Sequence, residues 1–254
     1  MTTWLWLIVP YVAFTSFVVG HIWRYRHDQF GWTTRSSQLY ESRLLRLGSP
    51  LFHFGLLAVL GGHVLGIAVP ASWTDAVGIS ESGYHLISVS MGTLSGLVCV
   101  AGLVILLYRR ITVTAVRQAT TRVDKLMYVL LVAAIGTGML NTVGVNLLQG
   151  DYNYRATVSP WFRGLFTLSP EPGLMAKAPT SFQVHALVVL ALLALWPYTR
   201  LVHVFSAPLG YLTRPYVVYR SRGDHLAARP YARAWEPPPP ARPAPIVRMG
   251  RGPR

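Results

Sequence analysis

The sequence is poor in charge and nearly empty of cysteine and lysine. Only 13% of its 254 residues are charged, and only 9 are acidic, against about a quarter charged in ordinary soluble domains. Its single cysteine, Cys99, excludes an internal disulfide, a cysteine-ligated iron–sulfur cluster and a Cys-x-x-Cys-His haem attachment. Any redox group must therefore be held by other ligands. Residues 1–3 carry no lysine or arginine, so the basic start of a cleavable signal peptide is missing. The first apolar run accordingly reads as an uncleaved helix. No internal repeat and no second compact core are visible.

What the chain has instead is apolar length: 52% of its residues are hydrophobic. They gather into five runs, about Trp4–Trp23, Leu51–Val69, Leu86–Tyr108, Leu126–Asn146 and Phe182–Phe205. About 20 apolar residues in a helix cross a bilayer core, and a lipid-facing backbone must satisfy its hydrogen bonds internally. The expected fold is an all-α integral membrane protein, a bundle of five transmembrane helices filling residues 1–220. The stretch 221–254, rich in arginine and proline, lacks the apolar content of a core and is expected to be a disordered cytoplasmic tail.

Arginine placement orients the bundle. Residues 24–50 and 109–125 hold five Lys/Arg each, and the chain from 206 onward holds nine arginines. Residues 70–84 hold none, and 147–181 hold three. By the positive-inside rule the N-terminus lies outside and the C-terminus in the cytoplasm. The net charge of +14 then reads as topology-setting and lipid-facing arginine, not as a nucleic-acid surface. The expected location is a bacterial or archaeal cell membrane, crossed several times.

Ionisable residues inside a membrane mark function by default. His53 and His63 lie in the second run, and His185 and His203 in the fifth. His53 and His63 are about 15 Å apart along a helix axis, while His185 and His203, five full turns apart, are about 27 Å apart. With the orientation above, only one pairing matches depths: His53 with His203 near the inner face, His63 with His185 near the outer. Two cross-helix histidine pairs suit two bis-histidine haems. A proton pathway or a metal transporter would use the same residues. The unequal depths require helix tilt or a bend at Pro197. Gly55, Gly61, Gly62 and Gly66 leave space beside the histidines for a flat ring, or for helix packing. His27 and His225 read as solvated.

The segments "SPLFHFGLLAVLGGHVLG" (49–66) and "FQVHALVVLALLALWPYTRLVHVFSAPLGYLTRPY" (182–216) resemble the gamma subunit of membrane-bound respiratory nitrate reductase. "RYRHDQFGWTTRSSQLY" (24–40) and "GLVCVAGLVILLYRR" (96–110) extend the likeness over about residues 20–220. The resemblance implies a dihaem cytochrome b, with two haem b groups held by His53 and His203 (inner) and His63 and His185 (outer). It further implies oxidation of menaquinol or ubiquinol near the outer haem. Electrons would pass inward to a cytoplasmic iron–sulfur beta subunit and a molybdenum alpha subunit that reduces nitrate. The family's quinol-binding lysine at the start of the third helix is missing, and "GYHLIS" (83–88) stands there. His85 is the nearest polar residue.

The quinol site is thus expected at His63 and Gly62, with His85 as a proton relay or as a histidine facing water. His21 reads as interfacial. Arg200, three residues before His203, suits an inner haem propionate or a lipid headgroup. Gly92 and Gly96 on the third helix read as close helix packing. Trp4, Trp6, Trp23, Trp32, Trp73, Trp161 and Trp196 read as a belt at the membrane borders. The 206–222 segment is a candidate docking surface for the iron–sulfur subunit. A sulfite- or heterodisulfide-reductase-type partner fits the same cytochrome.

Overall fold

The computed structural model describes residues 2–32, 36–150, 152–206 and 213. Every regular element among them is helical. The tail 221–254 and nearly all of the 206–222 docking segment lie outside the described residues. Helix α1 is Thr2–His27, α2 Arg43–His63, α3 Ala71–Ala76, α4 Glu81–Thr112 and α5 Thr114–Gln118. Helix α6 is Arg122–Met139, α7 Val158–Phe166, α8 Pro172–Ala176 and α9 Thr180–Leu195. Helices α1, α2, α4, α6 and α9 are the five long and apolar enough to cross a membrane, one for each apolar run.

Local chemistry sets the boundaries. Ser80 caps α4 by accepting from Gly83 N–H at 3.2 Å. Thr121 and Asp124 close a capping box on α6, with Asp124 N–H to Thr121 Oγ1 at 3.1 Å and Thr121 N–H to Asp124 Oδ2 at 3.0 Å. Two spans widen into π-helix, α2 through Val64–Ala68 and α6 through Leu140–Gln149. Widening frees carbonyls that lipid cannot satisfy, and α7 and α6 supply donors. Ser159 Oγ donates to Gly66 O at 2.9 Å and Arg163 Nη1 to Ile67 O at 3.1 Å. Asn146 Nδ2 donates to Asn141 O at 3.0 Å. Gly150, at φ 94°, ends the second π segment in a conformation other residues avoid.

The spans pack in the order α2, α4, α6, α9, α1. Glycines on α2 and α4 bring those helices into backbone contact: a Cβ at Gly55 would fall 2.5 Å from Cys99 N, and one at Gly102 2.2 Å from Phe52 N. Phe52, Cys99, Leu103, Met127, Leu131, Ala134 and Leu192 fill the core between α2, α4, α6 and α9. A second core joins α1 to the connection between α6 and α9, around Trp6, Trp161, Leu165, Met175 and Ala178. This corrects the border-belt expectation for two tryptophans. Trp6 and Trp161 are buried edge to face, 5.6 Å apart, and Trp161 Nε1 donates to Trp6 O at 2.9 Å. Trp4, Trp23 and Trp73 are exposed, as an interfacial belt requires. Gly92 and Gly96 face Thr142 and Met139 of α6, which is the packing role expected of them.

Buried arginines tie the connections to the spans. Arg109 on α4 donates to Glu41 Oε2 and Glu41 O, both at 2.6 Å, and to Ser37 Oγ and Ser37 O at 2.9 and 2.8 Å. Arg24 on α1 donates to Pro197 O at 2.6 Å, Thr199 O at 2.8 Å and Gly31 O at 2.7 Å. Each guanidinium saturates several carbonyls at once, which only its planar fork of donors permits.

Two outcomes follow from this packing. Gly102→Val must displace the α2 backbone, so it should lower stability by about 1–3 kcal/mol or more, while Gly61→Ala, with open space around it, should not. Thermal unfolding in detergent compares them. Partial burial raises the Glu41 carboxyl, but the Leu44 N–H and Arg109 outweigh it and hold it below its ordinary range. A depressed carboxyl stabilises the fold above its unfolded value, and that contribution is lost as pH falls through the folded one. The protection of residues 36–42 against hydrogen exchange, corrected for the intrinsic rate, should therefore fall as pH drops through the carboxylate range, and Glu41→Gln should remove most of that pH dependence.

Candidate functional site

Helices α2 and α9 do not pack along one another among the described residues; α2 lies on α4, and α9 between α6 and α1. The four histidines meet across the space so left. His53 and His203 rings stand 6.1 Å apart between centres, at 75° to one another. His63 and His185 rings also stand 6.1 Å apart, at 33°. The pairing is the one that depth required.

The mismatch of spacings disappears because α9 does not continue to His203. It ends at Leu195, tightens through a 3-10 turn at Trp196–Tyr198, and passes through an extended residue, Thr199 (φ −112°, ψ −178°). A second 3-10 stretch, Arg200–Ser206, then carries His203. Pro197 is buried, and a Cβ at Gly20 of α1 would fall 2.8 Å from it. The break is thus packed against α1 and held by the Arg24 hydrogen bonds.

Each of the four rings has its Nδ1 engaged. His53 Nδ1 lies 2.8 Å from Ser49 O, His63 Nδ1 2.8 Å from Val59 O, and His203 Nδ1 2.6 Å from Arg200 O. A carbonyl oxygen can only accept, so in these three Nδ1 carries the proton and Nε2 a free lone pair. His185 Nδ1 lies 3.0 Å from Thr137 Oγ1 on α6. These are the tautomers of metal-ligating imidazoles, oriented by outer hydrogen bonds.

The separation also suits a metal. An imidazole nitrogen sits about 2 Å from a first-row metal ion, so one ion fits between ring centres 6.1 Å apart. Among the described residues no three His, Cys, Asp or Glu side chains gather to hold a bare ion. A donor set of two imidazoles fits iron whose four remaining positions are filled by a porphyrin. Gly61 and Gly62, beside His63, have nothing within 4 Å of where a Cβ would lie. That leaves room for a flat ring or a substrate headgroup. Gly55 and Gly66 do not share that space: the first meets Cys99, and the second lies against the Tyr154 and Tyr84 hydroxyls.

Several residues play parts the sequence did not disclose. Arg200, expected at a haem propionate or a lipid headgroup, pairs with Asp124 on α6. Its Nε donates to Oδ1 at 2.9 Å and its Nη2 to Oδ2 at 2.6 Å. The pair pins the His203 stretch to α6. His85, read as facing water or relaying protons, has a buried Nε2 without a hydrogen-bond partner. Tyr84 and Tyr154 are the polar groups that approach the turn following His63, with their hydroxyls 3.2 Å apart. Arg155 stacks over the Tyr84 ring at 3.9 Å. His21, read as interfacial, packs among Phe17, Trp32 and Phe205. The tyrosines and Thr137 belong to apolar runs or connections with no motif of their own, so only tertiary placement identifies them.

Comparison with known sequences identifies relatives of this chain. The sequence pattern of the nitrate reductase gamma subunit family matches residues 2–222. The nitrate reductase gamma chain of Bacillus subtilis is 46% identical over 86% of this chain and 97% of its own length. The respiratory nitrate reductase 1 gamma chain of Escherichia coli is 31% identical over 85% of this chain and 95% of its own. The nitrate reductase-like protein NarX of Mycobacterium tuberculosis is 55% identical over 91% of this chain, which spans only 35% of that relative.

Asp124 is 3% exposed in its side chain and Arg200 13%. Breaking such a pair leaves a buried charge uncompensated, at a cost of about 3 kcal/mol. Asp124→Ala should lower the unfolding temperature in detergent and loosen the His53–His203 pair while leaving His63–His185 intact. Hydrogen exchange around the two pairs, compared in this variant, checks the selectivity.

Proposed function

The chain belongs to the nitrate reductase gamma subunit family, and on that premise we propose that it is the dihaem cytochrome b of a quinol-oxidising nitrate reductase. It is a multi-pass membrane protein. His53 and His203 hold the haem b nearer the cytoplasm, and His63 and His185 the haem b nearer the outside. The observation that carries this reading is the double pair: two sets of facing imidazoles, each 6.1 Å apart, with every Nδ1 engaged. Haem, when bound, supplies one-electron carriers at two depths, which protein side chains alone cannot offer.

The chain's own residues do the rest. Gly61 and Gly62 leave an approach to the outer pair for a quinol headgroup, menaquinol or ubiquinol. Quinol loses two protons with its two electrons, so acceptors must stand beside it. The Tyr84–Tyr154 hydroxyl pair, with Ser88 Oγ 3.4 Å from Tyr154, and His85 are the polar groups of that neighbourhood. They pass the protons outward, towards the connections poor in arginine. The inner pair lies at the arginine-rich end, where the cytoplasmic iron–sulfur subunit docks and feeds a molybdenum subunit. Nitrate chemistry takes place in those partners, and this chain reduces no nitrate itself. The membrane is that of a bacterial or archaeal cell.

Haem quantified per polypeptide by its pyridine haemochrome decides the reading. Two haems b per chain are expected, falling to one in His53→Ala and in His63→Ala. Quinol-dependent nitrate reduction by the assembled complex should be abolished in both. No haem in membranes well supplied with it would instead assign the histidines to a proton or metal pathway.

A further inference from the structure

The four paired histidines are not held alike. His53 and His63 send Nδ1–H to the carbonyl four residues back on their own helix, and His203 to the carbonyl three residues back. A helical backbone fixes those acceptors, and no side-chain substitution removes them. His185 alone takes its partner from a different helix: Thr137 Oγ1 of α6, at 3.0 Å, with the Ala134 carbonyl of that helix also in hydrogen-bonding reach. We propose that Thr137 and Gly138 of α6 position the His185 ring, and that Thr137 sets how strongly that imidazole donates to the outer haem iron. This rests on the dihaem reading above.

The direction of the hydrogen bond follows from the threonine's surroundings. Thr137 Oγ1 donates its one proton to Ala133 O at 2.7 Å, with Ala134 O at 3.2 Å beside it. Its remaining lone pairs can only accept, so the proton between Thr137 and His185 belongs to Nδ1. A hydroxyl already donating to a carbonyl is a better acceptor through cooperative polarisation. Electron density pushed onto the ring in this way strengthens Nε2 as a ligand.

Gly138 lets α6 come close enough. A Cβ there would stand 3.2 Å from His185 Cε1, tighter than ordinary contact. The ring edge is therefore bounded on one side by the α6 backbone and tied at Nδ1 by the hydroxyl. Two consecutive residues bear on both the orientation and the proton of the imidazole. The inner pair has no such partner from a third helix: Ser49 Oγ, 3.2 Å from His53 Nδ1, belongs to α2 itself.

The test is a potentiometric titration of both haems in the assembled complex, with low-spin ferric haem spectra from electron paramagnetic resonance. Thr137→Val keeps the shape and removes the acceptor. A weaker donor stabilises ferric iron less, so the outer haem should be easier to reduce. Its reduced-to-oxidised ratio should rise several-fold at the wild-type midpoint, with the inner haem unmoved. Thr137→Ser should restore the wild-type value. Loss of the outer haem alone in Thr137→Val, with the inner one retained, supports the same conclusion. Should Thr137→Val not accumulate, Gly138→Ala applies the steric half of the test: the outer haem's resonance signal should shift and the inner one's stay. Two haems with unchanged potentials and spectra in these variants would overturn the inference and leave the dihaem reading standing. A wild-type complex with fewer than two haems per chain would overturn both.

Discussion

An imidazole in a lipid-spanning helix must place two ring nitrogens, and here one of them is always placed locally. Nδ1 of His53, His63 and His203 binds a carbonyl within four residues, and that of His185 binds Thr137. The proton is thereby fixed on Nδ1, and four Nε2 lone pairs are left without a job inside the chain. The rest of the bundle brings these rings together in twos, 6.1 Å apart between centres. Helix α2 is carried by α4 through glycine contacts and α9 by α6 and α1, so α2 and α9 do not pack along one another. Had α2 and α9 packed directly, the rings would have no space between them for a metal.

The second constraint is the break after α9. A straight helix would carry His203 about 27 Å from His185, too far to meet a partner only ten residues from His63. Ending the helix in a membrane exposes carbonyls, which is costly unless donors are at hand. Arg24 supplies them to Pro197 O and Thr199 O, and the Asp124–Arg200 pair anchors the stretch beyond. Cations that a composition count assigns to topology are thus spent on holding one histidine at its depth. Both uses are compatible: an arginine at a membrane border can set orientation through its charge and saturate backbone through its five donors.

Much of this was legible in the sequence. Apolar runs gave five spans, and histidine spacing with arginine asymmetry gave the pairing of His53 with His203 and His63 with His185. Both are periodic or one-dimensional properties, which sequence records directly. What stayed hidden depends on which faces meet. Gly55 and Gly61 are equivalent letters in one run, yet the first touches Cys99 and the second touches nothing. Trp6 lies at the start of the first apolar run and Trp161 in the connection between the fourth and fifth, so both looked interfacial, but the α7–α8 connection folds over α1 and buries both. Arg200 sat on the right face for a propionate, and Asp124, 76 residues earlier, claimed it.

The two histidine pairs share a separation and differ in everything that governs their freedom. The inner pair crosses at 75°, with both rings tied to the backbone of their own segments and the His203 stretch anchored by one ion pair. The outer pair lies at 33°, beside the open glycines, with His185 tied to a hydroxyl on a third helix. A carrier that only passes electrons onward benefits from ligands that cannot move or change strength. A carrier that takes electrons from a diffusing substrate needs space on one side and a ligand whose strength can be adjusted from the other. Backbone carbonyls meet the first requirement, because every residue has one. On the dihaem reading proposed above, Thr137 meets the second, because a single side chain would then set the ligand without disturbing the helix that bears it.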